Sequence, residues 1–137
     1  LTVCTICITC RRPGTLRDSP ADGMALFLAV QAAADAALFD APEAPQVLVR
    51  GQSCMSGCSR ACTMSLQAQG KHSYYFGDLM ADEESAAQVL ACAQLHQSSL
   101  DGHLARNERP ERLRSGILAR LPAVATQRAD ALDKSEA

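Results

Sequence analysis

The sequence predicts an α/β fold in which a small mixed sheet, in the chain order β-α-β-β-β-α, has helices packed on it. Three observations predict this fold. The opening segment "LTVCTICITC" is short, uncharged and β-branched, which is typical of a buried strand. Apolar residues spaced by three and four then indicate a helix. An alternating segment with a central glycine further along indicates a β-hairpin.

Boundary signals place the first helix. Ser19 precedes Pro20, and Asp22 adds an acid in the first turn, so Ser19 is expected to cap a helix that begins at Pro20. The helix is expected to end near Phe39, because the prolines of "DAPEAP" cannot continue it. The residues predicted to form its apolar face are Met24, Phe27, Val30, Ala34 and Leu38.

The middle of the chain predicts a strand, a hairpin and a second helix. The strand "QVLVRG", residues 46–51, leads directly into a cysteine-rich loop. Residues 64–69 alternate between apolar and polar, Gly70 supplies a turn, and "HSYYFG" returns as the second hairpin strand. Asp82 is expected to cap the second helix, whose inward residues are Ala86, Val89, Leu90 and Ala93. A parallel pair joined by a helix and extended by an antiparallel hairpin is a thioredoxin-like order.

The end of the chain carries weaker signals. A short helix is expected around residues 109–120, within a segment of mixed charge. The following "ATQRADALDKSEA" is poor in large apolar residues. Residues 1–122 are therefore predicted to form one domain, and residues 123–137 a flexible tail.

The composition narrows the function classes. Hydrophobic residues make up 47% of the chain and aromatic residues only 4%, so alanine, leucine and valine must build the core. The net charge of −2 argues against a nucleic-acid partner, because such proteins usually present a basic face. We find no run of about 18 apolar residues and no signal peptide, so we expect no membrane partner and a cytoplasmic protein.

Cysteine is the most informative residue type. Of the seven cysteines, all but Cys92 fall in two short clusters, which are Cys4, Cys7 and Cys10 and then Cys54, Cys58 and Cys62. Clustered cysteines without an export signal favour metal or iron–sulfur ligands over disulfides, with a redox dithiol as an alternative. Each cluster follows a predicted strand, and the carboxyl ends of parallel neighbours meet at one sheet edge. The sequence therefore predicts a thiolate site at that edge.

Spacing alone leaves the metal open. Cys-x2-Cys and Cys-x3-Cys each occur twice, and zinc sites use both spacings. Four thiolates would equally suit an iron–sulfur cluster. Cys92 lies on an apolar stretch of the second predicted helix and is interpreted as structural. The three histidines share no motif and are interpreted as solvated or hydrogen-bonded side chains.

One segment resembles a known family. "VLVRGQSCMSGCSRACTMSLQAQGKHSYYFGDL" is similar to the second half of the thioredoxin-like 2Fe–2S ferredoxins, with Cys54 and Cys58 at the positions of their third and fourth ligands. "VCTIC" or "ICITC", the double Cys-x3-Cys run, "YYFGDL" and "DGHLARNERPERLRSGILARLP" carry a second likeness. Through them, residues 1–122 resemble a domain-of-unknown-function family of predicted metal-binding proteins, found beside cobalamin-biosynthesis genes. The resemblance implies a thioredoxin-like ferredoxin fold, a 2Fe–2S cluster and a role in making the corrin cofactor.

The sequence departs from the ferredoxin pattern in its first ligand pair. Those ferredoxins place one ligand in the loop after the first strand, but residues 11–23 contain no cysteine. The pair must then come from the first cysteine cluster, and Cys10 is favoured because it is expected at the strand end. Either Cys4 or Cys7 would be its companion, and Cys62 is an alternative ligand.

The leading hypothesis is a one-electron carrier whose 2Fe–2S cluster supports a cobalamin-biosynthesis step. Its partner would be a reductase or a corrinoid-pathway enzyme, and homodimerisation stays open. One alternative is a zinc or cobalt binding or delivery protein with a structural thiolate site. Another is a thiol–disulfide oxidoreductase, which is disfavoured because a polar loop separates Cys10 from the predicted helix start.

Overall fold

A computed structural model describes residues 1–44 and 46–124, so most of the predicted tail, residues 125–137, lies outside the described residues. Within these residues, the α/β prediction is confirmed by two helices and a five-stranded sheet. The elements are β1 (Thr2–Cys7), α1 (Asp22–Asp40), β2 (Val47–Gln52), β3 (Met64–Gln67), β4 (Ser73–Phe76), α2 (Glu83–Ser98) and β5 (Ile117–Leu121).

The sheet is mixed and has the spatial order β2-β1-β3-β4-β5. β1 and β2 are parallel, with Thr2 opposite Val47 and Cys7 opposite Gln52. β3 lies antiparallel to β1 and forms the predicted hairpin with β4. The parallel pair therefore brings the chain after Cys7 and the chain after Gln52 to the same edge of the sheet.

The core lies between one face of the sheet and the two helices. Cys4, Leu66 and Tyr74 occupy this face of three neighbouring strands and are buried. Leu26 and Val30 of α1 are fully buried against the same core, and each side chain contributes about 1.5–3 kcal/mol of transfer free energy. The opposite face, which includes Tyr75, carries no helix among the described residues.

The helix expected around residues 109–120 is wrong. Single 3-10 turns occupy Arg106–Glu108 and Glu111–Leu113, and β5 pairs antiparallel with β4. Pro110 lacks the N–H that a continuous helix would need. Gly116, at a φ of 77°, turns the chain away from a helical path before β5 begins. Pairing with the free edge of β4 then favours a strand over a helix in this segment. The local sequence does not reveal that this edge is available.

The start and face of α1 also differ from the prediction. Its N-cap is Ala21, which supplies no side-chain cap, whereas Asp82 caps α2 as predicted by accepting from Ser85 N–H. The buried residues of α1 are Gly23, Leu26 and Val30. Met24 and Leu38, predicted to face inward, are 36% and 44% exposed. The reason is that the close approach of Gly23 to β1 turns a different face of the helix toward the sheet.

The expectation that no segment could span a membrane needs a correction. α1 is long and apolar enough to do so by length and composition, because its many alanines raise its mean hydropathy. This is weak evidence for a span, since helices that pack in the core of a globular domain pass the same test. Here α1 packs against β1, β2 and α2.

Candidate metal centre

Cys7 and Cys10 form a buried thiol pair at the carboxyl end of β1. Cys7 is the last residue of the strand, and Cys10 lies in the loop beyond it rather than at the strand end where it was expected. Their Sγ atoms are 2.9 Å apart, with the Cys10 thiol donating to the Cys7 sulfur. Both side chains pack with Ala61 and Met55 in a small cluster separate from the main core. The strand end therefore presents two adjacent sulfur atoms shielded from water.

Hydrogen bonds give the two thiols opposite acid–base properties. Burial opposes ionisation of Cys7, but donors from Cys10, Thr9 and the Met55 backbone outweigh it and lower its pKa to about 7. Burial raises the pKa of Cys10 to about 12, and its bond to Cys7 and the charges of Cys7 and Cys58 add to the rise. Of the two thiols, Cys7 therefore loses its proton first.

The N-terminus of α1 packs against the backbone of this site. Gly23 N–H donates to the Cys10 carbonyl at 3.0 Å, and a Cβ on Gly23 would lie only 1.9 Å from the Cys7 carbonyl oxygen. The Asp22 carboxylate accepts from Arg12 N–H and from the Thr15 hydroxyl, each at 2.7 Å. The polar loop after Cys10 therefore folds back, and the first turn of α1 contacts the backbone that carries the thiol pair.

The second cysteine loop reaches the same edge from β2. Cys54 N–H donates to Thr9 Oγ1 at 3.1 Å, which ties this loop to the loop between Cys7 and Cys10. Cys54 and Ser56 have φ angles of 60° and 62°, so the backbone turns through the left-handed region on either side of Met55. Cys54 and Cys58 are both exposed. Their thiols stand at the solvent side of a site whose inner side is the buried pair.

Tyr75 and Gly57 fix the position of this loop against the sheet. The Tyr75 hydroxyl, from β4, donates to the Met55 carbonyl at 2.8 Å. A Cβ on Gly57 would approach the same hydroxyl to 2.3 Å and Thr63 Cγ2 to 2.7 Å, so only glycine permits this contact. Gly57 therefore allows the close approach of this loop to Tyr75.

Two arginines brace the rim of the site. Arg12 Nη1 donates to the carbonyls of Ala61 and Leu79 at 3.0 and 2.9 Å. Arg60 forms a bidentate ion pair with Asp78, which holds the pKa of that carboxyl below its usual range. Arg12 thereby links the first cysteine loop to the chain that follows the second, and Arg60 links the second loop to the end of the hairpin.

The remaining cysteines lie in the protein interior. Cys4 and Cys92 are fully buried in the main core, where burial and their mutual proximity raise the pKa of Cys4 to about 12. Cys62 is also fully buried, and its backbone exchanges two hydrogen bonds with Leu79. Burial, followed by the charge of Asp22, raises its pKa to about 11. Cys62 lies within electrostatic range of Cys7, whereas the pKa of Cys4 is influenced by Cys92 on α2.

The donor chemistry of the site fits a thiolate-bound group. In residues 1–44 and 46–124, no three His, Cys, Asp or Glu side chains are already arranged around one metal position. Hydrogen bonding from the backbone at Thr9 and Met55 is nevertheless among the causes that lower the pKa of Cys7. Such donors stabilise anionic sulfur in thiolate-ligated metal and cluster sites. Cys7 and Cys10 would hold the group from the buried side, and Cys54 and Cys58 from the exposed side.

Sequence reasoning missed the residues that position these thiols. Thr9 joins the two cysteine loops, and Gly23 of α1 and Tyr75 of β4 contact them from outside; the partners of all three are distant along the chain. Gly23 did carry a usable signal, because an isolated glycine in a helical pattern costs about 1 kcal/mol against alanine and can mark a packing constraint. The interpretation of the histidines as hydrogen-bonded or solvated is confirmed for His96, which is buried between Thr2 and the His72 carbonyl.

Comparisons with known proteins agree with this architecture. The profile of the family described as "Protein of unknown function (DUF1636)" matches residues 1–123. No curated protein matches the chain.

Two solved structures of a thioredoxin-like 2Fe–2S ferredoxin from Aquifex aeolicus resemble the fold. The first is 15% identical, covers 88% of this chain and 92% of that one, and has a TM-score of 0.50. The second, a wild-type crystal structure, is 14% identical, covers 87% and 97%, and has a TM-score of 0.51. At these identities the likeness concerns the fold, which is the thioredoxin-like ferredoxin fold.

Proposed function

We propose, starting from the fact that the chain belongs to the DUF1636 family of proteins of unknown function, that it is a one-electron carrier of the ferredoxin type. In this proposal, Cys7, Cys10, Cys54 and Cys58 hold a 2Fe–2S cluster. Cys7 is preferred to Cys4 because Cys4 lies in the main core, on the sheet face covered by the helices. Cys62 remains an alternative ligand, since it lies within electrostatic range of Cys7.

One observation carries the proposal. The Cys7–Cys10 pair, with a 2.9 Å contact between sulfur atoms, is tied to the Cys54 loop through Thr9 at the edge where β1 and β2 end. Thiolates from two loops at one edge are the ligands that an iron–sulfur cluster requires. The fold likeness to a protein described as a 2Fe–2S ferredoxin supports the same assignment.

The protein's own residues would position the ligands and tune the site. A 2Fe–2S cluster, when bound, supplies the capacity to accept and release one electron. Burial of Cys7 and Cys10 excludes water from one side, and the backbone donors of Thr9 and Met55 stabilise negative charge on sulfur. The exposed Cys54 and Cys58 leave the other side open to a partner.

The physiological role is the finer part of the proposal. The electron would serve a cobalamin-biosynthesis step such as the reduction of cobalt in a corrinoid, with a reductase or a corrinoid-pathway enzyme as the partner. This part rests on the family resemblance of the cysteine motifs and of residues 101–122.

Anaerobic purification followed by a visible spectrum and metal analysis tests the function. We expect a red-brown protein with about two irons and two sulfides per chain. A colourless protein with about one zinc would contradict the electron-carrier function and support a role in binding or delivering zinc or cobalt. Cobalt without sulfide would favour the delivery role in particular.

A dithiol oxidoreductase is the second candidate, because a specific observation favours it. The sulfur contact between Cys7 and Cys10, with pKa values of about 7 and about 12, matches the asymmetry of a reactive Cys-x2-Cys pair. The polar loop that argued against this function brings the N-terminus of α1 back to Cys10. Alkylation of the reduced, metal-free protein with a small reagent tests this function. The function requires one fast-reacting thiol, whose alkylation rate has its midpoint near pH 7. It also requires turnover of a disulfide substrate.

A further inference from the structure

We propose that Tyr75 is a positioning residue of the cysteine site, whose hydroxyl holds Met55, and with it the loop of Cys54 and Cys58, against the Cys7–Cys10 pair. The inference deepens the proposed function and rests on it for the cluster measurements, but its structural part concerns the metal-free chain as well. Tyr75 lies on β4, and β3 separates that strand from β1, which ends at Cys7.

Tyr75 is well placed to act as a fixed anchor. It lies in the middle of β4, opposite Ser65 of β3 and Ala119 of β5, so strands on both sides hold its backbone. Its side chain is half-buried on the sheet face that no described helix covers, and its hydroxyl donates to the Met55 carbonyl at 2.8 Å. A hydroxyl carried on a central strand has little freedom to follow the loop if the loop moves.

Gly57 makes the contact between the loop and Tyr75 direct. A Cβ at this position would meet the Tyr75 hydroxyl at 2.3 Å and the ring carbon Cζ at 3.3 Å. The backbone between Cys54 and Cys58 therefore lies against the tyrosine, with no side chain between them. Cys54 and Ser56, on either side of Met55, both have left-handed backbone conformations.

Met55 transmits this placement to the thiol pair. Its carbonyl accepts from Tyr75, and its side chain packs against the cluster of Cys7, Cys10 and Ala61. A backbone donor at Met55 is also one of the causes that lower the pKa of Cys7. Hydrogen bonds to ligand sulfur stabilise the more negative, reduced state of a cluster and raise its reduction potential. Loss of the Tyr75 hydroxyl would free the Met55 carbonyl and weaken the bond to sulfur, without removing any ligand.

The test compares Tyr75→Phe with Tyr74→Phe. Tyr74 is the neighbouring residue on the same strand, and its hydroxyl accepts from Leu104 N–H at 2.9 Å on the opposite, core face. Both variants lose one hydroxyl and one hydrogen bond to the backbone, so Tyr74→Phe measures the general cost of that loss. Iron and sulfide content, the midpoint potential of the cluster, and its loss to an iron chelator are measured for each.

We expect Tyr75→Phe to keep its iron and sulfide but to show a more negative potential, and to lose iron roughly fivefold faster, as one hydrogen bond predicts. Tyr74→Phe should keep the wild-type potential. Equal potentials in Tyr75→Phe and the wild type, or the same shift in both variants, would overturn the inference.

Amide hydrogen exchange of the reduced, metal-free protein separates this inference from the proposed function. The Met55 amide should exchange roughly fivefold faster in Tyr75→Phe than in the wild type or in Tyr74→Phe. This result stands even if the wild type binds no iron, in which case only the electron-carrier function fails. Unchanged exchange at Met55 contradicts the positioning role whatever the metal content.

Discussion

At the scale of single residues, cysteines with similar spacing have different surroundings. Cys7 and Cys10 form a buried contact pair, Cys54 and Cys58 face solvent, and Cys92 packs in the main core. Burial dominates the thiols of the core and raises their pKa values, whereas directed hydrogen bonds lower that of Cys7. The chemistry of each thiol therefore follows from its neighbours rather than from its place in a motif.

Substitution of one exposed and one buried cysteine tests this division. Cys58→Ser should lose the visible absorption of the anaerobically purified protein, because it removes a proposed ligand. Cys92→Ala should keep that absorption and lower the free energy of unfolding by about 1 kcal/mol, since it removes a buried sulfur from the core. Absorption that survives Cys58→Ser but not Cys92→Ala would refute the ligand assignment.

At the scale of elements, His96 joins α2 to two other parts of the fold. Its Nε2 lies 2.7 Å from the His72 carbonyl, which can only accept, so Nε2 carries the proton. Its Nδ1 then accepts from the Thr2 hydroxyl of β1 at 2.8 Å. Burial lowers the pKa of His96 from its ordinary 6.5, because a charged ring would lose its contact with water.

This histidine gives the fold an acid-sensitive contact. Above about pH 6.5 neither state binds a proton at His96, but below it the unfolded chain binds one first. The free energy of unfolding should therefore fall as the pH decreases from 6.5 toward the lower folded-state pKa, by at most about 1.4 kcal/mol per pH unit. Urea unfolding of the wild type and His96→Gln at pH 7.5 and 5.5 measures this. A wild-type loss no larger than that of the variant would contradict the role of His96, since the two proteins differ only at this side chain.

At the scale of the whole molecule, the cysteine site and the core are separate but share β1. The thiol pair of Cys7 and Cys10 forms its own small cluster at the end of the strand whose earlier residues lie in the main core. Hydrogen bonds through Thr9, Arg12 and Gly23 then connect that cluster to β2, the hairpin and α1. A group bound at the site would brace three parts of the fold at once.

Removal of the bound group should therefore lower global stability. Because a ligand of the folded state stabilises it against the unfolded chain, the loaded protein should melt at least about 5 °C above the reduced, metal-free form. Differential scanning calorimetry under anaerobic conditions measures both forms. The Cys58→Ser variant supplies the control, because it should melt near the metal-free wild type and respond little to added iron and sulfide.

Local patterns in the sequence determined most of the elements. β-branched runs, alternation and the Asp82 cap predicted β1, β2, the hairpin and α2, and the parallel pairing of β1 with β2 followed from their connection by a helix. Two clusters of cysteines after parallel strands also predicted that both would lie at one edge of the sheet. These features depend on short-range periodicity and chain connectivity, which are present in the sequence itself.

Only the tertiary structure decided which cysteines meet and what surrounds them. Pleating turns Cys4 into the core, while Cys7 ends the strand beside Cys10, so identical spacing gives different environments. The roles of Gly23 and Tyr75, and the strand β5 in place of a helix, arise from contacts with residues far along the chain. Such contacts form only when the sheet and helices are assembled, because no local preference of these residues specifies their distant partners.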